Sequence, residues 1–323
     1  MVALRKITGH PVSALALIII SFALAWFFRD VILVILLAML LTLSLLPVVD
    51  WLEQQGVRRW LAAVTPLTVS VLSIAWLISL VMPKLLQQAE ALLAAAPDVA
   101  HQLSQKYHLH ANTQEIATNS GQAIITATFG AASFLGFLAV VLFFSLYWLI
   151  DYHKIKHSLI NFLEKKHRKH VRELSTKAEH QVQAWVRGQI ILSLVVGVVV
   201  ASAYSFIGLP FAVVLGVLAG LLEIVPFLGP ILAAIPAFVL GMSISPGMGL
   251  AVFITYAIVQ TAESNLLAPK IMSEAVNLHP LAVILSFMIG AKLAGFIGIL
   301  LAIPVVLILT AAFNVYHDIL AKE

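Results

Sequence analysis

The sequence predicts an all-α polytopic membrane protein with about six full spans and two Pro/Gly-broken re-entrant hairpins forming an inverted repeat. Eight or more kinked spans is the competing arrangement. Three observations lead to this class. First, 61% of the 323 residues are hydrophobic and 11% are charged, with a mean hydropathy of +1.03; soluble chains have about 45–50% and about 25%. Second, the apolar residues form continuous runs close to the roughly 20 residues that cross a bilayer core, without the alternation of a membrane barrel. Third, 209–240 reads like 279–309. Pro210-Phe211-Ala212-Val213-Val214-Leu215 matches Pro280-Leu281-Ala282-Val283-Ile284-Leu285, and a glycine (Gly220, Gly290) lies ten residues after each proline. Phe227-Leu228-Gly229 on to Pro236 then matches Phe296-Ile297-Gly298 on to Pro304. The offset drifts from 70 to 69 to 68, as in diverged copies with a small gap.

The first block, 1–83, holds three apolar stretches. The run 12–28 follows Arg5 and Lys6, and Ala23-Leu24-Ala25 resembles a cleavage site, but the bulky Trp26-Phe27-Phe28 comes next, so an uncleaved helix is expected. Arg29-Asp30 marks a tight polar turn before the second span, 31–49. A loop with Arg58 and Arg59 leads to the third, 61–82, ended by Pro83. In 84–121, Leu85, Leu86, Ala89, Leu92 and Leu93 share a helical face, which predicts two short amphipathic surface helices joined at Pro97-Asp98. Asn119-Ser120 is the expected cap of the fourth span, 122–150, where Tyr147, Trp148 and Tyr152 suit the interface. The segment 151–187 carries nine Lys and Arg residues. Its Val171, Leu174, Ala178, Val182 and Trp185 recur with helical spacing, so it is a basic amphipathic linker. The remainder, 188–323, is the expected transport core: a span at 189–207, the first repeat, a span at 249–267 and the second repeat.

Charge sets the expected orientation. Arg5 and Lys6, the loop with Arg58 and Arg59, and the 151–187 segment fall on one side if four helices alternate, so that side and both termini are cytoplasmic. The 84–121 segment is then external. The net charge of +4 sits beside membrane spans and does not indicate a nucleic-acid partner. With no cysteine in the chain, disulfides, thiolate metal sites and a cysteine nucleophile are excluded.

The repeats carry the functional reading. In each, the first apolar half is about 12 residues, about 18 Å of helix, against a core near 30 Å. Each half therefore dips in and returns, and the single span between the repeats makes them enter from opposite faces. Non-helical backbone at such depth requires protein or a water-filled cavity around it. In secondary transporters, sites lie between such repeats. Ionisable groups are scarce here, and buried charge in lipid marks pathways or pairs. Glu223 and Lys292 occupy nearly equivalent places just past Gly220 and Gly290, and their opposite signs predict a close approach in at least one state. Glu263 ends the intervening span beside Gln260 and Asn265. Candidate substrate- or ion-binding residues are Glu223, Pro226, Gly229, Pro230, Gln260, Glu263, Asn265, Lys292, Gly295 and Gly298. No cofactor is called for.

Two motifs carry a resemblance. One is Val225-Pro226-Phe227-Leu228-Gly229-Pro230 with Ile235-Pro236. The other runs from Glu263-Ser264-Asn265-Leu266-Leu267-Ala268-Pro269-Lys270-Ile271-Met272 through His279-Pro280 to Gly295, Gly298 and Ala302-Ile303-Pro304. With the four-helix front and the basic linker, the chain resembles the AI-2E (autoinducer-2 exporter) family over nearly its whole length. Ser273 departs from the glycine expected after the methionine, which bears on the local turn. The resemblance implies a transporter of the bacterial inner membrane, assembled as a homo-oligomer, with a pentamer expected. Its substrate would be a small polar molecule such as autoinducer-2, or it would exchange sodium or lithium for protons.

Other functions fit less well. No Gly-x-Ser-x-Gly or His-Glu-x-x-His is present, and no Gly-rich loop with Gly-Lys-Ser/Thr, which argues against an intramembrane hydrolase and an ATP-driven pump. His153 and His157 have metal-pair spacing but no third ligand, so solvated histidines are expected. A non-transporting scaffold would leave the buried glutamates unexplained.

Overall fold

A chain in hydrocarbon must satisfy its backbone within each segment, and the long apolar runs among the described residues fold as helix. The computed structural model describes residues 23–24, 26–107, 113–272 and 278–320. Most of the expected first span, 12–28, lies outside them, as does Ser273. No strand occurs among the described residues. Among the described residues, six stretches are long and apolar enough to cross a membrane: Arg29–Gln54, Arg59–Lys84, Leu135–Phe162, His167–Phe206, Pro246–Ile271 and Leu281–Val315, the last of them interrupted at Ala294 and Gly295.

Helix α1 spans Arg29–Gln54. The tight turn expected at Arg29-Asp30 is absent. The Phe28 amide bonds to the Leu24 carbonyl and the Ile32 amide to the Phe28 carbonyl, both at 2.9 Å, so the helical path continues. No glycine or proline is there to break it, and a helix lets Arg29 stack over Trp26 one turn back, 4.9 Å from the ring centre. Gly56, at φ +89°, makes the turn into α2, Arg59–Tyr107. Its apolar part ends near Lys84, yet the backbone passes Pro83 and Pro97 as helix. The break expected at Pro83, and the separate helix after Pro97, are therefore not observed. Helix α3, Thr113–Phe162, begins before the cap expected at Asn119-Ser120 and bends at Asp151. Thr42 of α1 meets Ser145 of α3, their hydroxyls 3.3 Å apart. Arg59 ties the ends of α1, α2 and α3 together. It donates to Asp50 at 2.5 Å, to Glu53 at 2.6 Å and to the Leu149 carbonyl at 3.0 Å.

Helix α4, Lys165–Phe206, joins the basic linker and the fifth span without a break. A first hairpin follows: α5, Ala212–Leu222, a turn, and α6, Leu228–Ile244. A β-carbon on Gly229 would collide with the Leu222 carbonyl, so the two arms fold back in backbone contact. Both arms start at strained non-glycine residues, Phe211 at φ 59° and Phe227 at φ 65°. Helix α7, Pro246–Ala262, is capped by the Ser245 side chain, which accepts from the Met248 amide at 3.1 Å. A π-helical turn, Glu263–Leu267, and a short α8, Ala268–Ile271, complete that span.

Helix α9, Pro280–Leu320, is broken at Ala294 and Gly295, whose backbone leaves helical geometry. In a straight helix Gly290 and Gly298 would stand about 12 Å apart, but here a β-carbon on either would collide with the carbonyl of the other. The chain thus reverses, giving arms 280–293 and 296–320. The second repeat is a hairpin like the first. In each, the glycine just past the turn, Gly229 or Gly298, packs on the incoming arm, and the outgoing arm holds a proline, Pro236 or Pro304.

Candidate functional site

The site is set by how α5 seats on α4. Gly197 and Ala201 of α4 face Gly216 and Gly220 of α5, the small-residue spacing that lets membrane helices approach closely. A β-carbon on Gly216 would lie 2.6 Å from the Gly197 carbonyl oxygen, and one on Gly220 2.7 Å from the Ser193 carbonyl oxygen. This seating delivers the end of α5, where Glu223 begins the turn, into the protein interior. Glu223 is only 2% exposed, and its backbone carbonyl accepts a hydrogen bond from the buried Gln189 amide of α4.

Helix α7 closes the other side. Tyr256, Gln260 and Glu263 recur at spacings of four and three and so share one face. The Tyr256 hydroxyl donates to the Pro230 carbonyl at 2.9 Å, fixing the start of α6. Its ring stacks on Tyr204 of α4, with centroids 6.3 Å apart and planes 25° apart. Glu263, 8% exposed, opens the π-helical turn. Pro269 explains that turn, because it cannot donate to the Asn265 carbonyl and its ring would crowd it; widening the preceding turn relieves the conflict. Such π-turns cluster at functional sites.

The result is a polar cluster within an apolar core of Leu192, Val196, Leu215, Ala219, Val252 and Val259. Glu223 and Glu263 lie within electrostatic reach of each other, and neither has an ion-pair partner among the described residues. Among the described residues six buried side-chain polar atoms lack a hydrogen-bond partner, and four of them belong to α4, α7 and the turn after α5: Glu223 Oε2, Ser193 Oγ, Tyr204 Oη and Gln260 Oε1. An unsatisfied buried polar atom costs about 1–3 kcal/mol, more when charged.

Of the residues singled out in the sequence, Glu223, Gly229, Pro230 and Glu263 are buried here, with Pro226 in the same turn and Gln260 half-buried. Asn265 is exposed and bonds back to the Thr261 carbonyl at 2.8 Å. Lys292 and Gly295 are exposed at the second reversal, and Gly298 is buried in it. Lys292 makes no ion pair with Glu223 in this structure. The hairpins nevertheless touch, through Phe227 of the first turn and Phe287 of the second hairpin's incoming arm. Sequence reasoning missed Gln189, Ser193, Tyr204 and Tyr256; the α4 trio recurs on one helical face, which is the signal that could have found it. No cluster of three potential metal ligands occurs among the described residues, and His153 lies beside Asp50 at 3.3 Å.

Two helices that turn buried polar side chains toward a hairpin held between them fit passage through a membrane, and comparison with known proteins agrees. The Bacillus subtilis protein YrrI, described as a candidate transport protein, is 26% identical over 294 residues, covering 85% of this chain and 83% of that one. The Escherichia coli K12 protein PerM, described as a candidate permease, is 26% identical over 341 residues, covering 96% and 94%. The model of the AI-2E family transporters matches residues 15–318, so the chain belongs to the AI-2E family and is a membrane transporter.

Proposed function

We propose that the chain is a gradient-driven secondary transporter in which Glu223 and Glu263 hold the coupling proton or monovalent cation. The observation that carries this reading is the pair itself: two buried carboxylates within electrostatic reach, with no cationic side chain between them. Taking an ion out of water costs several kcal/mol unless it is paired, and two neighbouring carboxylates cannot both ionise cheaply. A proton or a small cation resolves both difficulties. Its arrival and departure change the charge of the site, which supplies the differential binding that two transporter states require.

The transported solute is a small polar molecule such as autoinducer-2, moving outward. The unpartnered Ser193, Tyr204 and Gln260 atoms suit a hydroxyl-rich compound. The carboxylate pair alone favours a second reading, sodium(lithium)/proton antiport. In either case the hairpins enter from opposite faces of the bacterial inner membrane, both termini are cytoplasmic, and the working form is a homo-oligomer, a pentamer.

The test is flux in proteoliposomes with and without an imposed proton or sodium gradient. Solute export that follows the gradient supports the first reading. Cation movement without solute supports antiport. No gradient-dependent flux of either kind would overturn both and leave a scaffold.

A further inference from the structure

We infer, resting on the reading of Glu223 as a holder of the coupling ion, that Phe227 is its positioning residue: seated against Phe287, the Phe227 ring holds a strained turn shut over the carboxylate. Phe227 has φ 65° and ψ −48°, and across it the Leu228 amide donates to the Pro226 carbonyl at 2.8 Å. That bond and those angles make a γ-turn of the rare, strained hand. Both sides of it are fixed. The Gln189 side-chain amide holds the Glu223 carbonyl, and the Tyr256 hydroxyl holds the Pro230 carbonyl. The Gly229 amide closes onto the Val225 carbonyl at 2.8 Å, and the ring of Pro226 fixes its own φ. The positive φ falls on the residue left between them.

Backbone geometry alone would ask for glycine at such a place, because glycine takes positive φ without a steric cost. The second hairpin meets that demand: the residue with φ +57° at its reversal is Gly295. The first hairpin carries an aromatic instead. Strained side chains persist only where their surroundings over-determine them, and they gather at functional sites. The core does not supply the hold, since Phe227 is 63% exposed. Its ring partner is Phe287, which packs in turn on the cluster of Leu43, Trp185 and Leu307. Glu223 lies four residues before Phe227, at the other end of the same turn and buried, with Oε2 unpartnered. The second hairpin thus sets, through one ring, whether the turn stays closed. When the hairpins part, the γ-turn relaxes and Glu223 is released toward water.

The experiment labels the full chain in liposomes with a water-soluble carbodiimide and an added amine, at one pH, and reads the rate at Glu223 by peptide mass spectrometry. Glu263, which is not on the turn, is the reference in the same sample. Phe287→Leu removes the hold and leaves the strain, so labelling of Glu223 should rise about twofold to tenfold, the weight of one edge-to-face pair, while Glu263 stays level. Phe227→Tyr keeps the ring and should label like wild type. Should Phe287→Leu not fold, Phe227→Ala should show the same rise. Phe227→Gly should melt no lower than Phe227→Ala in detergent, the reverse of the order at an unstrained position. Labelling is read without flux, so normal flux in Glu223→Gln would remove the coupling role separately from the hold of Phe227 on that carboxylate. Unchanged Glu223 labelling in Phe287→Leu and Phe227→Ala, an equal rise at Glu263, or a glycine variant less stable than the alanine variant would each overturn the proposal.

Discussion

Phe227 stands edge-on to Phe287, with ring centroids 5.8 Å apart and planes at 75°. The first belongs to the turn of one hairpin and the second to the incoming arm of the other, so the two copies of the repeat meet through an aromatic pair. Edge-to-face pairs contribute about 0.5–1.5 kcal/mol beyond their buried area. A double-mutant cycle with Phe227→Leu and Phe287→Leu, followed by thermal unfolding in detergent, should return a coupling in that range. A coupling near zero would mean that the hairpins touch without supporting each other.

The carboxylates should separate stability from function. Glu223→Gln and Glu263→Gln each remove a buried charge that has no partner, so melting temperature should stay level or rise. Gradient-driven flux should fall at least about tenfold, consistent with a site where stability is traded for activity. If the coupling ion is a proton, the residual flux should lose its dependence on pH. Normal flux in both variants removes the pair from the mechanism.

The glycines make a graded series. Gly298→Ala places a methyl group into the Gly290 backbone and should prevent the second hairpin from closing, seen as loss of folded protein on size-exclusion chromatography. Gly295→Ala has open space but φ +57°, so it should cost about 1–3 kcal/mol through backbone strain alone. Gly136→Ala, with nothing within 4 Å, should be neutral or slightly stabilising. Equal effects at all three positions would contradict the hairpin geometry.

Orientation can be read directly because the chain has no cysteine. A single cysteine replacing Lys106 should react with an impermeant thiol reagent on intact cells, and one replacing Lys169 only after the membrane is opened. The reverse pattern would invert the proposed topology.

Much of the core was legible because proline and glycine act locally. Their spacing located both reversals, and Glu223 and Glu263 stood out as rare charges in apolar runs. What escaped depended on continuity. Gln189 comes two residues after Arg187 and reads as the edge of a polar linker; only an unbroken α4 carries it into the core. Tyr256 reads as one more apolar-run aromatic until Pro230 is beside its hydroxyl. Pro83 failed as a stop because membrane helices tolerate proline where neighbouring groups compensate. Lys292 lies almost level with Glu223 in the sequence alignment of the repeats, but the second hairpin turns two residues later, at Ala294, and leaves it at the tip.

Helix α4 is also a lever. Its 42 residues run without interruption from Lys165 to Phe206, and its close backbone contact at Gly197 on Gly216 is a natural fulcrum. From there Lys165 is about 48 Å away and Gln189 about 12 Å, an arm ratio of about four to one. A tilt that swings the basic end by about 4 Å would shift Gln189 by about 1 Å, enough at hydrogen-bond lengths to release the Glu223 carbonyl. Spin labels at positions 165 and 51 would record the swing. Displacements imposed at the membrane surface would then arrive at the carboxylates reduced about fourfold.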